Sequence, residues 1–424
     1  MPFRHRYRKS GTMREKDPYK IRIVIATHAV GSGHKIFGDL ICEKLTQEDD
    51  FDPVCIVEDG GAVDEIYGFY VRHADFWMKI MNRINELPVF DCLDFYKNKG
   101  MYARAVHVLR KENPDIVIAT RFSQSIPFSV AKKVLKMRTL VINAVPDYGP
   151  PLRRDYPRLD VFKPDYLMVT EDGSLREALK KFRMNEGRVL LCGHDTRTEF
   201  RRIAAKIRTK EAAREAFLDS YEHAALLRKF DFRKKTVLLM GGSKAAARLM
   251  PVMRRLPKAR ADVLKQAQYC IACGTDQGLF HGLVSMKEGN GDMENIFPLP
   301  RLHTENMALL MAGCDVPVLG SIAPASLNEL CETRCLPLII FRHIAHEGHH
   351  VRYVQDQEIG FYEPRLRNCL RRLAFCLSMD SGEKEIYGHR AGALRARHRN
   401  GFHSLPRLLK SLHEKSLRQH EASN

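Results

Sequence analysis

Two segments of the chain repeat one local design, and this repetition constrains the fold more than any other feature of the sequence. Ile21 begins the apolar run IRIVIATHAV, which is followed by the loop GSGH and a helical pattern. Thr236 begins the apolar run TVLLM, which is followed by Gly241-Gly242-Ser243 and an alanine-rich helical pattern. A strand, a glycine turn and a helix offer backbone N–H groups and a helix N-terminus to a phosphate. On its own, such a turn is more often a tight connection that binds nothing.

Strand and helix patterns also alternate through the rest of the chain. Apolar strand runs include DPVCIVED, PDIVIAT, TLVINAV, PDYLMVT and RVLLCG before the glycine pair, and QYCIACG, NIFPLP, DVPVLG and CLPLIIF after it. This alternation predicts α/β architecture with two doubly wound domains. We predict a basic arm over residues 1–20, a first domain over 21–199, a second over 200–362 and a basic helical segment over 363–424.

The chain carries a large positive charge, with 69 Lys and Arg against 51 Asp and Glu and a net charge of +18. This excess favours a polyanionic partner, either nucleic acid or an anionic membrane surface. No RNA- or DNA-binding motif supports the nucleic acid. The basic N-terminus leads into no apolar signal core, and the 11 scattered cysteines suit reduced thiols. We therefore expect a cytoplasmic protein, held peripherally at the inner face of a membrane.

Candidate functional residues of the first half follow its strands. Gly31, Ser32 and Gly33 precede His34, whose imidazole at a helix start favours the neutral form that accepts a proton. A helix-capping histidine is an equally good interpretation. Asp147 follows the strand TLVINAV, at the edge where ligands of α/β sheets gather.

Two other stretches of the first half suggest membrane contact. The segment IYGFYVRHADFWMKIMNRI includes Phe76 and Trp77, and a basic helix predicted over SVAKKVLKMR carries Lys132, Lys133 and Lys136. Aromatic side chains beside cations suit a membrane interface or a lipid-binding wall. Composition alone slightly favours ordinary core packing for the aromatic residues.

The second half has one informative block, VLGSIAPASLNELCETRCLPLIIFRHIAHEGHHVRYV, over residues 318–354. The loop Ala323-Pro324-Ala325-Ser326 leads into a helix that carries Glu329. Such a loop at a helix N-terminus suits a pyrophosphate, and a carboxylate one turn along can accept two ribose hydroxyls. Another simple turn with a surface glutamate fits the same residues.

Taken together, these motifs over residues 21–362 resemble the glycosyltransferases that make glycosyl-diacylglycerols. This group contains monogalactosyldiacylglycerol synthase and processive diacylglycerol glucosyltransferase, and it is related to MurG. GSGH resembles the group's glycine-histidine loop, the Trp77 segment resembles its lipid-facing region, and GGSKAAAR is similar to the MurG form of the donor loop. The resemblance maps donor binding onto Gly241, Gly242, Ser243, Pro324, Ala325, Ser326, Glu329, His346, Glu347 and His350.

The chain departs from the family pattern at several positions. Alanines stand at 323 and 325 where the family has the glycines of Gly-Pro-Gly-Thr, and Ser321 stands where it usually has lysine. His346 and His350 replace a glutamine and an asparagine that hold the donor sugar, so the resemblance does not identify the sugar. His194-Asp195 also departs from the family's usual residues after Gly193.

The resemblance implies a GT-B architecture, with two Rossmann-like domains that face each other across a cleft. It implies an inverting hexosyltransferase that takes a UDP-sugar as donor and diacylglycerol or another lipid as acceptor, with no required metal or other cofactor. His34 is the candidate base, and Asp147 would orient either His34 or the acceptor.

Three alternatives stay open at this point. The first is MurG-like transfer of N-acetylglucosamine to a polyprenyl-linked acceptor, which the GGSKAAAR loop favours. The second is a zinc peptidase, because HEGHH over residues 346–350 fits H-E-x-x-H, although Gly348 suits a helix interior poorly. The third is an inactive GT-B relative that acts as a binding scaffold.

Overall fold

Parallel strands in two separate sheets organise the computed structural model, which describes residues 17–28, 32–58, 99–242, 245–259, 261–289, 293–344 and 347–422. Within these residues each sheet has six strands, and every neighbouring pair of strands is parallel. The two sheets confirm the predicted α/β class and the pair of doubly wound units.

The first sheet and its helices come from the N-terminal half of the chain. Its elements are β1 (Ile21–His28), α1 (Ser32–Thr46), β2 (Phe51–Glu58), α2 (Lys99–Glu112), β3 (Ile116–Ala119), α3 (Phe122–Val134), β4 (Leu140–Val145), β5 (Tyr166–Val169), α4 (Asp172–Phe182) and β6 (Val189–Leu191). The strand order is β2-β1-β3-β4-β5-β6.

The second sheet follows two connecting helices. The elements are α5 (Thr198–Lys206), α6 (Lys210–Ser220), β7 (Thr236–Met240), α7 (Met250–Arg255), α8 (Asp262–Gln266), β8 (Gln268–Ala272), α9 (Gln277–Glu288), β9 (Ile296–Leu299), α10 (Thr304–Gly313), β10 (Val316–Leu319), α11 (Pro324–Glu332), β11 (Leu338–Ile340), α12 (Gly348–Asp356) and β12 (Gly360–Tyr362). The strand order is β12-β11-β10-β7-β8-β9.

The central strands of both sheets are covered on both faces. All eight residues of β1 and all five of β7 are buried. Strands buried on two sides read as continuous apolar runs rather than as alternating ones, which is why IRIVIAT and TVLLM predicted them. In each sheet the strand order switches sides at one strand: β2 and β3 lie on opposite sides of β1, and β8 and β10 lie on opposite sides of β7. Ligands of open α/β sheets bind outside such switch points.

Three C-terminal helices complete the fold, namely α13 (Leu366–Ser378), α14 (Ser381–His403) and α15 (Leu405–Glu421). Cys369, Leu373 and Cys376 of α13 pack in a core with β7 and β10 of the second sheet. Leu405 and Leu409 of α15 pack in a core with β1 and α1 of the first sheet. The long helix α14 thus carries the chain from the second sheet back to the first.

Two local expectations from the sequence are wrong. The helix predicted over SVAKKVLKMR is α3, which begins earlier and ends at Val134, so Lys136 lies beyond it with a left-handed φ of 53°. Cys42 and Cys55 form a disulfide instead of two reduced thiols. The other eight described cysteines are free and buried, and burial raises the pKa of Cys270 and of Cys273 to about 12.

Among the described residues, none of the helices combines the length and the apolar character that crossing a bilayer requires.

Candidate functional site

Two helix N-termini meet where the sheets face each other. Helix α1 follows β1, and α11 follows β10, so both helices start at the carboxyl ends of central strands. A Cβ built on Gly33 would lie 4.0 Å from the Cβ of Ala323. The two loops that the sequence singled out in different halves of the chain therefore lie within contact distance.

The N-terminus of α11 has no side-chain cap. Ala323 occupies the N-cap position with an extended φ of −114°, and its side chain accepts no hydrogen bond from the first turn. Glu171, Thr209 and Asp276 cap α4, α6 and α9 through side-chain oxygens, whereas α3, α10 and α13 lack such a cap as α11 does. The first-turn N–H groups of α11 are the kind of donors that a phosphate satisfies. Pro324, at the first helical position, has no N–H and leaves Ala325 and Ser326 as donors.

The Gly241-Gly242 turn after β7 depends on both glycines. A Cβ on Gly241 would lie 2.3 Å from the carbonyl carbon of Ala245, so a side chain there would collide with the backbone. Gly242 has a φ of 63°, in the left-handed region that favours glycine. Of the residues that the structure describes, none lies within 4 Å of a Cβ built on Gly242. Gly241 is thus required by the turn itself, while Gly242 faces open space.

Glu329 lies one turn into α11 and is only 4% exposed. Its Oε1 accepts a hydrogen bond of 2.6 Å from Nε of Arg197, and Arg197 also donates to the Thr304 hydroxyl at 3.1 Å. Burial raises the pKa of Glu329, and the Arg197 guanidinium opposes this shift. The carboxylate is therefore a buried acceptor held by one cation, which comes from the segment that joins the two sheets.

Glu347 is fixed by three donors. Ser321 donates through its hydroxyl, and the backbone N–H groups of Ile322 and Ile344 donate at 3.2 and 2.7 Å. The serine that replaces the family lysine thus satisfies a buried carboxylate. Helix α12 begins only at Gly348. The zinc-peptidase pattern needs its glutamate inside the helix as a base, whereas Glu347 precedes α12 and is held by three donors; His346 lies outside the described residues.

His350 connects the two halves of the site. Its Nδ1 lies 2.9 Å from the Ile322 carbonyl oxygen, and its Nε2 lies 3.4 Å from Oδ1 of Asp147. Burial lowers the pKa of this buried histidine, but Asp147 and Glu347 outweigh the burial and raise it overall. Asp147 is half exposed at the end of β4. The structure thus brings Asp147 to His350, two candidates from different halves of the chain.

The residues after Asp147 form contacts that the sequence analysis missed. The Tyr148 hydroxyl accepts a hydrogen bond of 3.0 Å from Asn328 of α11, and its ring stacks on Tyr353 with centroids 4.3 Å apart. A Cβ on Gly149, whose φ is 96°, would lie 2.5 Å from Cβ of His349. The sequence does contain one signal for these contacts, the Asp-Tyr-Gly turn directly after a buried strand. Glycine is required at position 149 because His349 approaches it closely.

His34 lies in the first turn of α1. Its Nδ1 lies 2.5 Å from the carbonyl oxygen of Thr120, which follows β3. A carbonyl oxygen can only accept a hydrogen bond, so the proton lies on Nδ1 and the lone pair of the neutral ring lies on Nε2. The backbone therefore selects the tautomer of His34 that can take a proton through Nε2.

The remaining predicted residues lie elsewhere or cannot be placed. Gly31, Phe76, Trp77, Ser243 and His346 lie outside the described residues, and Ser32 is the first residue of α1. Lys132 donates to Asp165 at 2.5 Å and to the Thr139 carbonyl, while Lys133 donates to the Asp160 carbonyl. Thr139 and Asp165 directly precede β4 and β5, so Lys132 binds at the amino ends of these strands rather than at their carboxyl ends. Across the described ranges, no group of three potential metal ligands is present.

Solved structures with the same overall arrangement cover nearly the whole chain. A glycosyltransferase from Rickettsia africae matches with a TM-score of 0.58 at 14% identity, over 94% of this chain and 99% of its own. UDP-GlcNAc 2-epimerase from Neisseria meningitidis bound to UDP-GlcNAc matches with a TM-score of 0.55 at 10% identity, over 94% and 100%. Anabaena HepE in complex with UDP also gives 0.55, at 12% identity over 92% and 100%.

These likenesses establish the fold. The chain has the GT-B architecture that the sequence predicted, with two Rossmann-like units facing each other. No protein-family model and no curated protein matches the sequence. Nothing in the likenesses identifies the diacylglycerol branch, because identities of 10 to 14% carry information on the fold alone.

Proposed function

We propose that this protein is a UDP-sugar-dependent glycosyltransferase that moves a hexose to a lipid hydroxyl, with inversion at the anomeric carbon. The observation that carries the proposal is the uncapped N-terminus of α11, which lies directly before the buried carboxylate of Glu329 and opposite the His34 loop. N–H donors for a pyrophosphate and an acceptor for ribose hydroxyls are what binding of UDP needs. Solved neighbours that contain UDP or UDP-GlcNAc support this choice of donor.

His34 is the proposed general base. The lone pair on Nε2 takes the proton of the acceptor hydroxyl, and the acceptor oxygen forms a bond to the anomeric carbon. The bond between that carbon and the UDP oxygen breaks at the same time, and UDP leaves with the electron pair. The N–H groups and dipole of α11 stabilise the charge that develops on the departing diphosphate.

The alanines of the phosphate loop are compatible with this role. Ala323 is an ordinary extended residue and Ala325 lies inside α11, so neither position requires a φ that only glycine adopts. Ala325 is also buried. The substitution therefore preserves the N–H donors of α11.

The proposed acceptor is diacylglycerol in an anionic membrane. The net charge of +18 supports attachment to the inner, cytoplasmic surface of a membrane. The resemblance to the diacylglycerol branch rests on the Trp77 segment, and this part of the proposal depends on sequence alone.

Calorimetric titration with UDP, with and without EDTA, tests the donor site first. We expect binding in the micromolar range that EDTA does not change, and weaker binding by the Glu329→Gln variant. Arg254→Gln is a matched control, since Arg254 is an exposed residue of α7. The absence of UDP binding would contradict the proposal and leave a GT-B scaffold without this donor.

Transfer assays then identify the reaction. Radiolabelled UDP-glucose, UDP-galactose and UDP-N-acetylglucosamine are supplied with diacylglycerol vesicles or with a polyprenyl-linked acceptor. Label on diacylglycerol supports the proposal, while N-acetylglucosamine on the polyprenyl lipid replaces it with MurG-like transfer. Epimerisation of UDP-N-acetylglucosamine without any transfer would refute the transferase class.

A further inference from the structure

A cavity with a basic lining is formed by residues of the first domain. Its volume is about 500 Å³, and it is lined by Arg153, Arg158, Lys181, Phe182 and Arg183. We call this feature the basic pocket. Four of its five lining residues are cations and none is acidic.

Aromatic contacts hold two of these cations together. Arg153 Cζ lies 5.6 Å and Lys181 Nζ lies 5.8 Å from the centroid of the Phe182 ring. The Phe182 ring also packs against Tyr156, with centroids 5.7 Å apart. Lys181 donates to the Pro151 carbonyl at 3.0 Å, which ties the end of α4 to the loop after β4. The pocket therefore has a fixed wall on which like charges are brought close together.

Two cations of the basic pocket differ from exposed cations that have acidic partners, such as Arg202 with Glu305 at 2.7 Å and Lys229 with Glu294 at 2.6 Å. Within the described part of the chain, Arg158 and Arg183 form neither an ion pair nor a side-chain hydrogen bond. The positive charges of Arg158 and Arg183 on one concave surface repel each other, and a bound anion offsets this repulsion.

We propose that the basic pocket binds a phosphate group, from either an anionic lipid headgroup or a soluble phosphate ester. Guanidinium groups match the oxygens of phosphate with two parallel hydrogen bonds, and three of the four cations are arginines. The pocket lies beside the loop after β4, which also carries Asp147, so the phosphate binds on the first-domain side. This site does not depend on the proposed glycosyl transfer.

Exposed apolar side chains beside the basic pocket fit a lipid as the source of the phosphate. Leu152, Leu159 and Val161, from the loop that supplies Arg153 and Arg158, are 36%, 50% and 44% exposed. Apolar side chains beside cations bind membrane surfaces by combining burial with attraction to anionic lipid. A phosphate monoester in solution needs the cations alone.

Titration of the full-length protein with inorganic phosphate at low ionic strength tests the site. The double variant Arg158→Gln/Arg183→Gln is compared with Arg254→Gln/Arg255→Gln, which removes two exposed charges from α7 in the second domain. We expect the first variant to weaken phosphate binding about tenfold and the second to leave it unchanged. Thermal unfolding of both variants shows whether the fold is retained.

A parallel experiment distinguishes the two sources. Sedimentation with phosphatidylcholine vesicles, with or without phosphatidic acid, is repeated with both double variants. Selective loss of binding to the acidic vesicles in Arg158→Gln/Arg183→Gln identifies a lipid phosphate, and unchanged vesicle binding identifies a soluble one. No phosphate binding by the wild-type protein, or equal losses in both double variants, would overturn the proposal. Neither result requires UDP binding, so the two proposals fail separately.

Discussion

The two domains place their candidate residues in different ways. In the second domain, Glu347 and His350 are fixed by hydrogen bonds to their own domain, through Ser321, Ile322 and Ile344. In the first domain, the loop after β4 reaches outward, and its Tyr148 and Gly149 contact Asn328 and His349 across the interface. The second domain thus fixes Glu347 and His350 largely by itself, whereas Tyr148 and Gly149 of the first domain depend on the partner domain for their surroundings.

This difference indicates how the two domains divide the work. A site that is fixed within one domain suits the ligand that binds first and most tightly, which we propose is the UDP-sugar. A surface that is completed only when the domains face each other suits the acceptor and the base. Changes in the second domain are therefore expected to affect donor affinity, and changes in the first to affect turnover.

Replacing His34 with alanine gives the largest expected effect. Loss of the general base is expected to lower kcat by about a hundredfold to ten-thousandfold, with the Kd for UDP changed less than about threefold. Transfer kinetics and UDP titration on the same preparation measure both quantities. An equal loss of UDP affinity would contradict the division between the domains.

Shortening Leu409 to alanine tests whether the C-terminal helix belongs to the first domain. Leu409 is fully buried against the first sheet, so its truncation is expected to reduce the free energy of unfolding by about 2 to 5 kcal/mol. Leu417→Ala is the matched control, because Leu417 on the same helix is 46% exposed. Denaturant unfolding of both variants measures the difference, and equal stabilities would show that α15 does not pack on the sheet.

Acidification should weaken the fold through histidines at the interface. Burial lowers the pKa of His194 to about 4 and of His398 to about 3. The unfolded chain binds these protons near pH 6.5 and the folded chain does not, so stability is present above pH 6.5 and is lost as pH falls toward 4. For one such histidine the loss is of the order of 3 kcal/mol.

The same pH experiment on His398→Phe provides the control. Removing one of the two groups should make the loss of stability between pH 6.5 and pH 4 smaller. Thermal unfolding at a series of pH values measures both proteins, and identical slopes would show that His398 does not carry the effect. The Tyr353 hydroxyl, 2.7 Å from Nε2 of His398, loses its partner in this variant at every pH. A uniform decrease in stability therefore does not count as the pH effect.

Neutralising Glu329 gives the smallest effect and the sharpest contrast with His34. Glu329→Gln retains the size of the side chain and removes the charge that bonds to Arg197. We expect UDP affinity to fall about tenfold to a hundredfold, as for the loss of a hydrogen bond to a charged group. The value of kcat at saturating donor should change little, and titration with transfer kinetics measures both.

Much of the fold was predictable because buried parallel strands leave a direct trace in the sequence. IRIVIAT and TVLLM are continuous apolar runs, and each is followed by a turn and a helix. The start of α3 was missed because its N-terminal half, FSQSIPF, mixes polar and apolar residues and contains Pro127. The basic residues around its C-terminal end led to a predicted helix that extends too far along the chain.

The site was only partly predictable, since its contacts join distant segments. His34, Glu329, Glu347 and Asp147 stood out through their positions after strands. The pairing of Arg197 with Glu329 spans 132 residues, and that of Asn328 with Tyr148 spans 180. No local pattern encodes such pairs, because they depend on how the two domains are placed.

The return of the chain to the first domain has a consequence for synthesis. Leu405, Leu409 and Leu412 belong to the core around β1, yet they are translated after the whole second domain. Proteins fold during translation largely from the N-terminus. The first domain therefore emerges from the ribosome with an apolar surface that stays uncovered until α15 is made. We expect chaperones to bind a nascent chain that has not yet reached α15.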